Sequence, residues 1–175
     1  MADNNIRFDN GAAYERMMGV WSRLPGAVFL DWLAPGPALR WLDVGCGAGA
    51  FTEQGVDSSP EQIAFAQARL STRQATFALG DALALPYPDD RFDAAAMALV
   101  IFFLPDPAQG AREMARVVRP GGIVAAYAWD IIGGGSPLEP IRAEQRALGL
   151  TPTNAPADDA SRLETLRDLW REAGL

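Results

Sequence analysis

The chain contains no histidine and no lysine; its fifteen basic residues are all arginine. That removes histidine-based acid–base catalysis, lysine Schiff bases and histidine-rich metal sites, so a proton acceptor must be Asp, Glu, Tyr or water. The single cysteine, Cys46, excludes an internal disulfide, suits the cytoplasm, and has no histidine to activate it as a nucleophile. No apolar run approaches the roughly 18–20 residues of a membrane span, and the opening M-A-D-N-N-I-R-F-D-N is no signal peptide. Basic clusters are missing too. A formal net charge of −7 argues against nucleic-acid phosphates and anionic membrane surfaces as partners. What is present is 175 residues, 49% of them hydrophobic, enough for one domain with a real core.

The chain is organised around Trp41-Leu42-Asp43-Val44-Gly45-Cys46-Gly47-Ala48-Gly49-Ala50-Phe51. An apolar run ends in an acid, three glycines alternate with small residues, and helix-compatible residues follow: strand, tight turn, helix start. Glycines there allow positive φ and close approach of a ligand to the backbone, with free N–H groups facing it. Gly45, Gly47 and Ala50 also fit the dinucleotide pattern G-x-G-x-x-G/A. Asp43 points elsewhere, because a carboxylate two residues before the first glycine repels a pyrophosphate and attracts a cation.

Two further acids end apolar segments. Q-G-V-D leads to Asp57 as a short second strand, and Ala75 to Leu79 reads as a third, closed by Gly80-Asp81-Ala82. Asp57 can accept both hydroxyls of a ribose or cap a helix. Ser59, Pro60 and Gln62 mark a helix start with a capping box, running to about Leu70. Phe92 to Val100 is a fourth strand, apolar as a central parallel strand must be, followed by Ile101-Phe102-Phe103-Leu104-Pro105 and a helix from about Pro107 to Val118. R-P-G-G at Arg119–Gly122 stops that helix, and Ile123 to Trp129 is a fifth strand. Before the first strand, Ala13 to Trp21 and Pro25 to Trp32 read as two short helices. After the fifth, Gly133–Gly135 is a flexible turn, Pro140 to Leu148 is helical, and Ser161 to Glu164 is a capping box opening a last helix with Leu163, Leu166 and Trp170 inward and Gly174 as its stop. Strands alternating with helices imply an α/β, Rossmann-like, doubly wound and mostly parallel sheet, its site at the strands' carboxyl edge. The expected organisation is one domain, with 1–40 an N-terminal lid, 41–130 a binding core and 131–175 a cap.

D-V-G-C-G-A-G, G-D-A, F-D and R-P-G-G, in that order, resemble class I S-adenosylmethionine (SAM) dependent methyltransferases, over roughly Tyr14 to Asp130. The resemblance implies a small-molecule methyl acceptor, similar to those of quinone-biosynthesis and natural-product methylases, with SAM as cofactor, S-adenosylhomocysteine as product and no metal. It places Asp57 on the ribose hydroxyls and Asp81 with the Ala82 N–H on the adenine, and it counts Asp43, Gly45, Cys46, Gly47, Gly49, Ser58 and Leu99 among the cofactor-binding residues, with Gly47 against the methionine part. An N-terminal lid would contribute Tyr14, Met18, Trp21 and Ser22, although these can equally cover the sheet. Phe102, Phe103, Tyr127 and Trp129 are substrate-pocket candidates, or simply pack under helices. Tyr14, Asp106, Tyr127 and Asp130 are candidate bases for a hydroxyl acceptor. Two other classes stay open: a nicotinamide-dependent oxidoreductase, disfavoured by Asp43, and an inactive cofactor-binding partner protein.

One spacing conflicts with this reading. Asp43 and Asp57 must lie at the same sheet edge, and a parallel crossover needs at least about 10–12 residues. Between Gly49 and Gln54 stand only Ala50, Phe51, Thr52 and Glu53. The expectation is therefore a missing segment of roughly 10–20 residues between Glu53 and Gln54, and a C-terminus cut short of two further strands.

Overall fold

A computed structural model describes residues 11–49, 54–69 and 75–175. Five strands form one sheet: β1 (Trp41–Val44), β2 (Gln54–Asp57), β3 (Thr76–Leu79), β4 (Phe92–Ala98) and β5 (Val118–Tyr127). Their spatial order is β3-β2-β1-β4-β5, and every pairing is parallel. The order reverses direction between β1 and β4, which opens a crevice at the carboxyl edge there. β4 reads as an unbroken small apolar run because it is covered on both faces: Ala94, Ala95, Ala96 and Met97 have no exposed surface.

Helix α1 (Gly11–Leu33) covers one face. The two-helix expectation is corrected here, since Pro25 lies inside a single helix. Proline removes one backbone hydrogen bond, but Phe29 packs on Ala96, Ala125 and Tyr127 and holds the helix against the sheet beyond it. On β2 and β3, α2 (Pro60–Arg69) buries Ile63 and Ala66 against Phe77 and Cys46. Ser59 Oγ accepts from the Gln62 N–H at 3.3 Å, as an N-cap should, while the Ser59 N–H donates to Asp57 Oδ1 at 2.9 Å.

The opposite face carries α3 (Pro107–Val117), N-capped by Asp106, whose carboxylate accepts from the Gln109 N–H at 2.9 Å. Met114 and Val117 meet Leu42, Val44 and Met97, and each fully buried side chain of this size is worth about 1.5–3 kcal/mol. β5 begins at Val118 rather than Ile123. R-P-G-G is built into the strand, with the register shifting between Phe92 and Ala94 and Gly121 at φ +73°. Asp93 fixes this irregular entry by pairing with Arg40 at 3.0 Å and Arg119 at 2.7 Å.

After β5 come α4 (Glu139–Ala147), with no buried residue, and α5 (Leu163–Glu172). The capping box at Ser161 does not form: Ser161 is buried in a short 3-10 turn and Arg162 precedes the helix with no side-chain cap. Leu163 is exposed, whereas Leu166 and Trp170 do pack on the core. Residues 45–49, the described part of the β1–β2 link, form turns. β1 and β2 are direct neighbours, with Asp43 opposite Gly55 and Val44 opposite Val56. The Glu53–Gln54 join, where the missing segment was expected, lies outside the described residues.

Candidate active site

The turns that leave the five strands enclose a cavity of about 450 Å³ at the carboxyl edge. From the glycine loop come Asp43, Gly45, Cys46 and Gly47; from the end of β2, Asp57 and Ser58; from the β3 turn, Asp81 and Ala82. Leu99, Phe103 and Tyr127 line it beyond β4 and β5, and Ser22 faces it from α1. Of the other sequence candidates, Gly49 is buried against Ala66 and Phe77, and Phe102 and Trp129 belong to the core on the α3 face. Met18 and Trp21 do not line the cavity, Trp21 being half exposed on the outside of α1. The Tyr14 side chain lies outside what is described.

Gly45 is dictated by its surroundings. It sits at φ +78°, and a Cβ there would lie 2.5 Å from a Val100 methyl. Val100 reaches that position because the chain turns sharply at Leu99, a non-glycine residue at φ +62°, held by its N–H donating to Tyr127 C=O at 2.9 Å. A strained leucine at a cavity wall is the kind of backbone outlier that concentrates at functional sites. Gly47 has φ +50°, and a Cβ there would meet only Gln62 Oε1, at 3.9 Å, so the loop leaves a backbone-lined cradle.

Asp43 is the electrostatic centre. It is 1% exposed, and neither carboxylate oxygen has a hydrogen-bond partner. Burial, together with the charge of Asp57, pushes its pKa up to about 8. Asp57 is differently placed. Its Oδ2 accepts from the Gly47 N–H at 2.8 Å and its Oδ1 from the Ser59 N–H, tying the glycine loop to β2 and to the start of α2. Asp81 Oδ1 accepts from the Leu83 N–H at 2.9 Å and shapes the turn after β3. Cys46 is inert, its thiol pKa pushed up by burial and by the nearby Asp43 and Asp57. Ser22 Oγ is buried without a partner, and Tyr127 Oη donates to the Ser22 carbonyl at 3.4 Å, joining α1 to β5 beside the cavity.

Several lining residues escaped the sequence reading. Gln62, read there as part of a cap, is buried and faces the cavity, and Gly19 lies one helical turn before Ser22 on the same side of α1. Leu83 also contributes, whereas Leu104 and Pro105 line the cavity from the apolar segment that the sequence already set at the end of the fourth strand. Asp106 and Asp130 are absent from the lining. Asp106 caps α3, and Asp130 Oδ1 accepts from the Gly133 N–H at 2.8 Å, which leaves Tyr127 as the base candidate among the described residues that touches the cavity. No group of acids and cysteine suited to a metal ion occurs among the described residues.

A parallel sheet in this order, with a glycine loop and strand-end acids around one crevice, defines the class I SAM-dependent methyltransferase fold. Residues 42–126, just under half of the chain, match the family described as "Methyltransferase domain". The chain is similar to a Synechocystis 2-methyl-6-phytyl-1,4-hydroquinone methyltransferase, 38% identical over 113 residues that cover 58% of this chain and 35% of that protein. Among solved structures it resembles a Thermotoga maritima SAM-dependent methyltransferase, described as a possible histamine N-methyltransferase. The TM-score is 0.69 at 27% identity, covering 93% of this chain and 76% of that one. It also resembles the 4+2 cyclase SpnF, at TM-score 0.54 and 30% identity over 61% of this chain and 44% of that one. The first curated relatives that it matches are longer proteins, of which the chain spans about 40%.

Proposed function

We propose that the chain transfers a methyl group from SAM to a small-molecule acceptor, as an enzyme of the cytoplasm. The observation that carries this reading is Asp43, a fully buried carboxylate with no partner at the edge of a glycine-lined cavity. A buried charge without a partner is costly, and a site that keeps one is built for a cation. The residues fit the cofactor. Asp43 would take its ammonium group, the Gly45–Gly47 cradle its methionine backbone, Asp57 the ribose hydroxyls, and Asp81 with the Ala82 N–H the adenine. Asp57 retains lone pairs beyond its two backbone bonds, so it can hold the loop and a ribose together.

When bound, SAM supplies a methyl group on a positively charged sulfur, open to in-line attack by an O, N, S or C nucleophile. This chain's residues contribute binding, orientation and exclusion of water. Leu99, Val100 and Phe103 wall the cavity with apolar surface, and α1 closes it through Ser22 and Gly19. With no histidine or lysine in the chain, the acceptor proton leaves to water, with Tyr127 the side chain placed to assist.

Transfer of labelled methyl from SAM into an extract of the protein's own cells tests the reading, with an isolated methylated product as the expected result. The similarity to a cyclase favours a second reading, a site of this fold that serves a reaction other than methyl transfer. Tight SAM binding with no transfer to any acceptor would select it. A pyridine-nucleotide site is disfavoured by the same Asp43.

A further inference from the structure

We propose that the acceptor side of this cavity takes an uncharged molecule with extended apolar surface and rejects acceptors carrying carboxylate, phosphate or sulfate. The inference rests on the methyltransferase reading and names the substrate class of that site. Its basis is the distribution of charge. Asp43, Asp57 and Asp81 line the cavity, and no arginine does among the described residues. Arginines stand in ion pairs elsewhere: Arg40 and Arg119 on Asp93, Arg116 on Glu113 and Asp89, Arg112 on Asp106. SAM carries a sulfonium, an ammonium and a carboxylate, a net charge of about +1, against three aspartates, so the fully ionised, loaded site stays near −2.

Beyond the uncharged polar residues Ser22, Ser58, Gln62 and Tyr127, the rest of the wall is apolar. Val100, Phe103, Leu104 and Pro105, which follow β4, present hydrocarbon, and a charge brought against them loses its water without gaining a partner. This wall is also preformed. Leu99 is fixed by its bond to Tyr127, Val100 is seated over Gly45, and the Phe103 ring packs on Phe102 with centroids 4.6 Å apart. A fixed apolar wall favours ligands that match it, and it cannot rearrange to bring up a cation.

A matched pair of probes tests this: 2-naphthol and 2-naphthoate, titrated by calorimetry at pH 7 into the protein loaded with S-adenosylhomocysteine and into the unloaded protein. The expected result is naphthol binding at least about tenfold tighter than naphthoate, the gap narrowing as salt screens the aspartates. Phe103→Arg, which brings a cation to the wall, should raise naphthoate affinity about tenfold or more. Equal or tighter binding of naphthoate to the wild-type protein would overturn the proposal, and so would failure of both probes to bind. SAM is titrated separately. Absent SAM binding with naphthol preference intact would count against the methyltransferase reading alone, whereas tight SAM binding with naphthoate preferred would count against the acceptor class alone.

Discussion

Replacing Asp43 by asparagine should move stability and ligand affinity in opposite directions, and the sizes follow from its burial. In the unfolded chain the carboxyl titrates near 3.8, and in the folded protein near 8. Between those values the folded state holds a proton that the unfolded state releases, so stability falls as pH rises, by about 1.4 kcal/mol per unit, and levels off above 8. At pH 7 the accumulated cost is about 4 kcal/mol. Asparagine does not titrate, although its buried amide, if unpaired, costs about 1–3 kcal/mol. The unliganded variant should therefore be about 1–3 kcal/mol more stable than wild type at pH 7. The gain should grow at pH 8 and vanish near pH 4.5. Cofactor affinity should fall about 100-fold or more, because a buried ion pair that loses one partner costs about 3–5 kcal/mol. Urea denaturation across pH 4.5–8.5 and calorimetry with SAM are the assays. A stability difference that stays flat with pH, or a variant that binds SAM like wild type, would refute the reasoning.

Other outcomes follow from the same geometry. Wild-type SAM binding at pH 7 should release close to one proton as Asp43 ionises, and affinity should strengthen up to about pH 8; calorimetry in buffers of different ionisation enthalpy reads this directly. Asp57→Ala should weaken SAM about 10- to 100-fold. Because Asp57 also holds the Gly47 and Ser59 N–H groups, the glycine loop should exchange its amide hydrogens faster, which wild-type-like exchange would contradict. Gly47→Ala should remove SAM binding while costing only about 1–2 kcal/mol for its left-handed backbone, measured by urea melts. Asp93→Asn should destabilise the protein at pH 7, with the penalty shrinking progressively as pH is lowered from 4 to 2 in acid-titrated urea melts. Arg40 and Arg119 hold the Asp93 carboxyl below the usual carboxylate range, so its contribution is present above pH 4 and lost as acid protonates it.

The sheet was legible because parallel strands buried on both faces leave continuous apolar runs, and because acids end them at fixed places. Trp41 to Gly49, Asp57 and Asp81 needed little more than that. What escaped depended on contacts between distant segments. Pro25 reads as a helix start, yet the packing of Phe29 on Ala96 and Ala125 carries α1 through it. R-P-G-G reads as a stop, yet Asp93 draws Arg119 into the sheet. Phe102 and Phe103 are indistinguishable as letters, and the turn at Leu99 sends one to the core and the other to the cavity. Gln62 follows a helix start and reads as a cap, while its side chain is spent on the cavity.

The central claim is that the cavity around Asp43 is a site for a cationic nucleoside cofactor. Side-by-side calorimetric titration of the wild-type protein with SAM and with NAD tests it most directly. Saturable binding of SAM at one site, with no heat from NAD at the same concentrations, is the predicted result. Saturable NAD binding without SAM binding would contradict it.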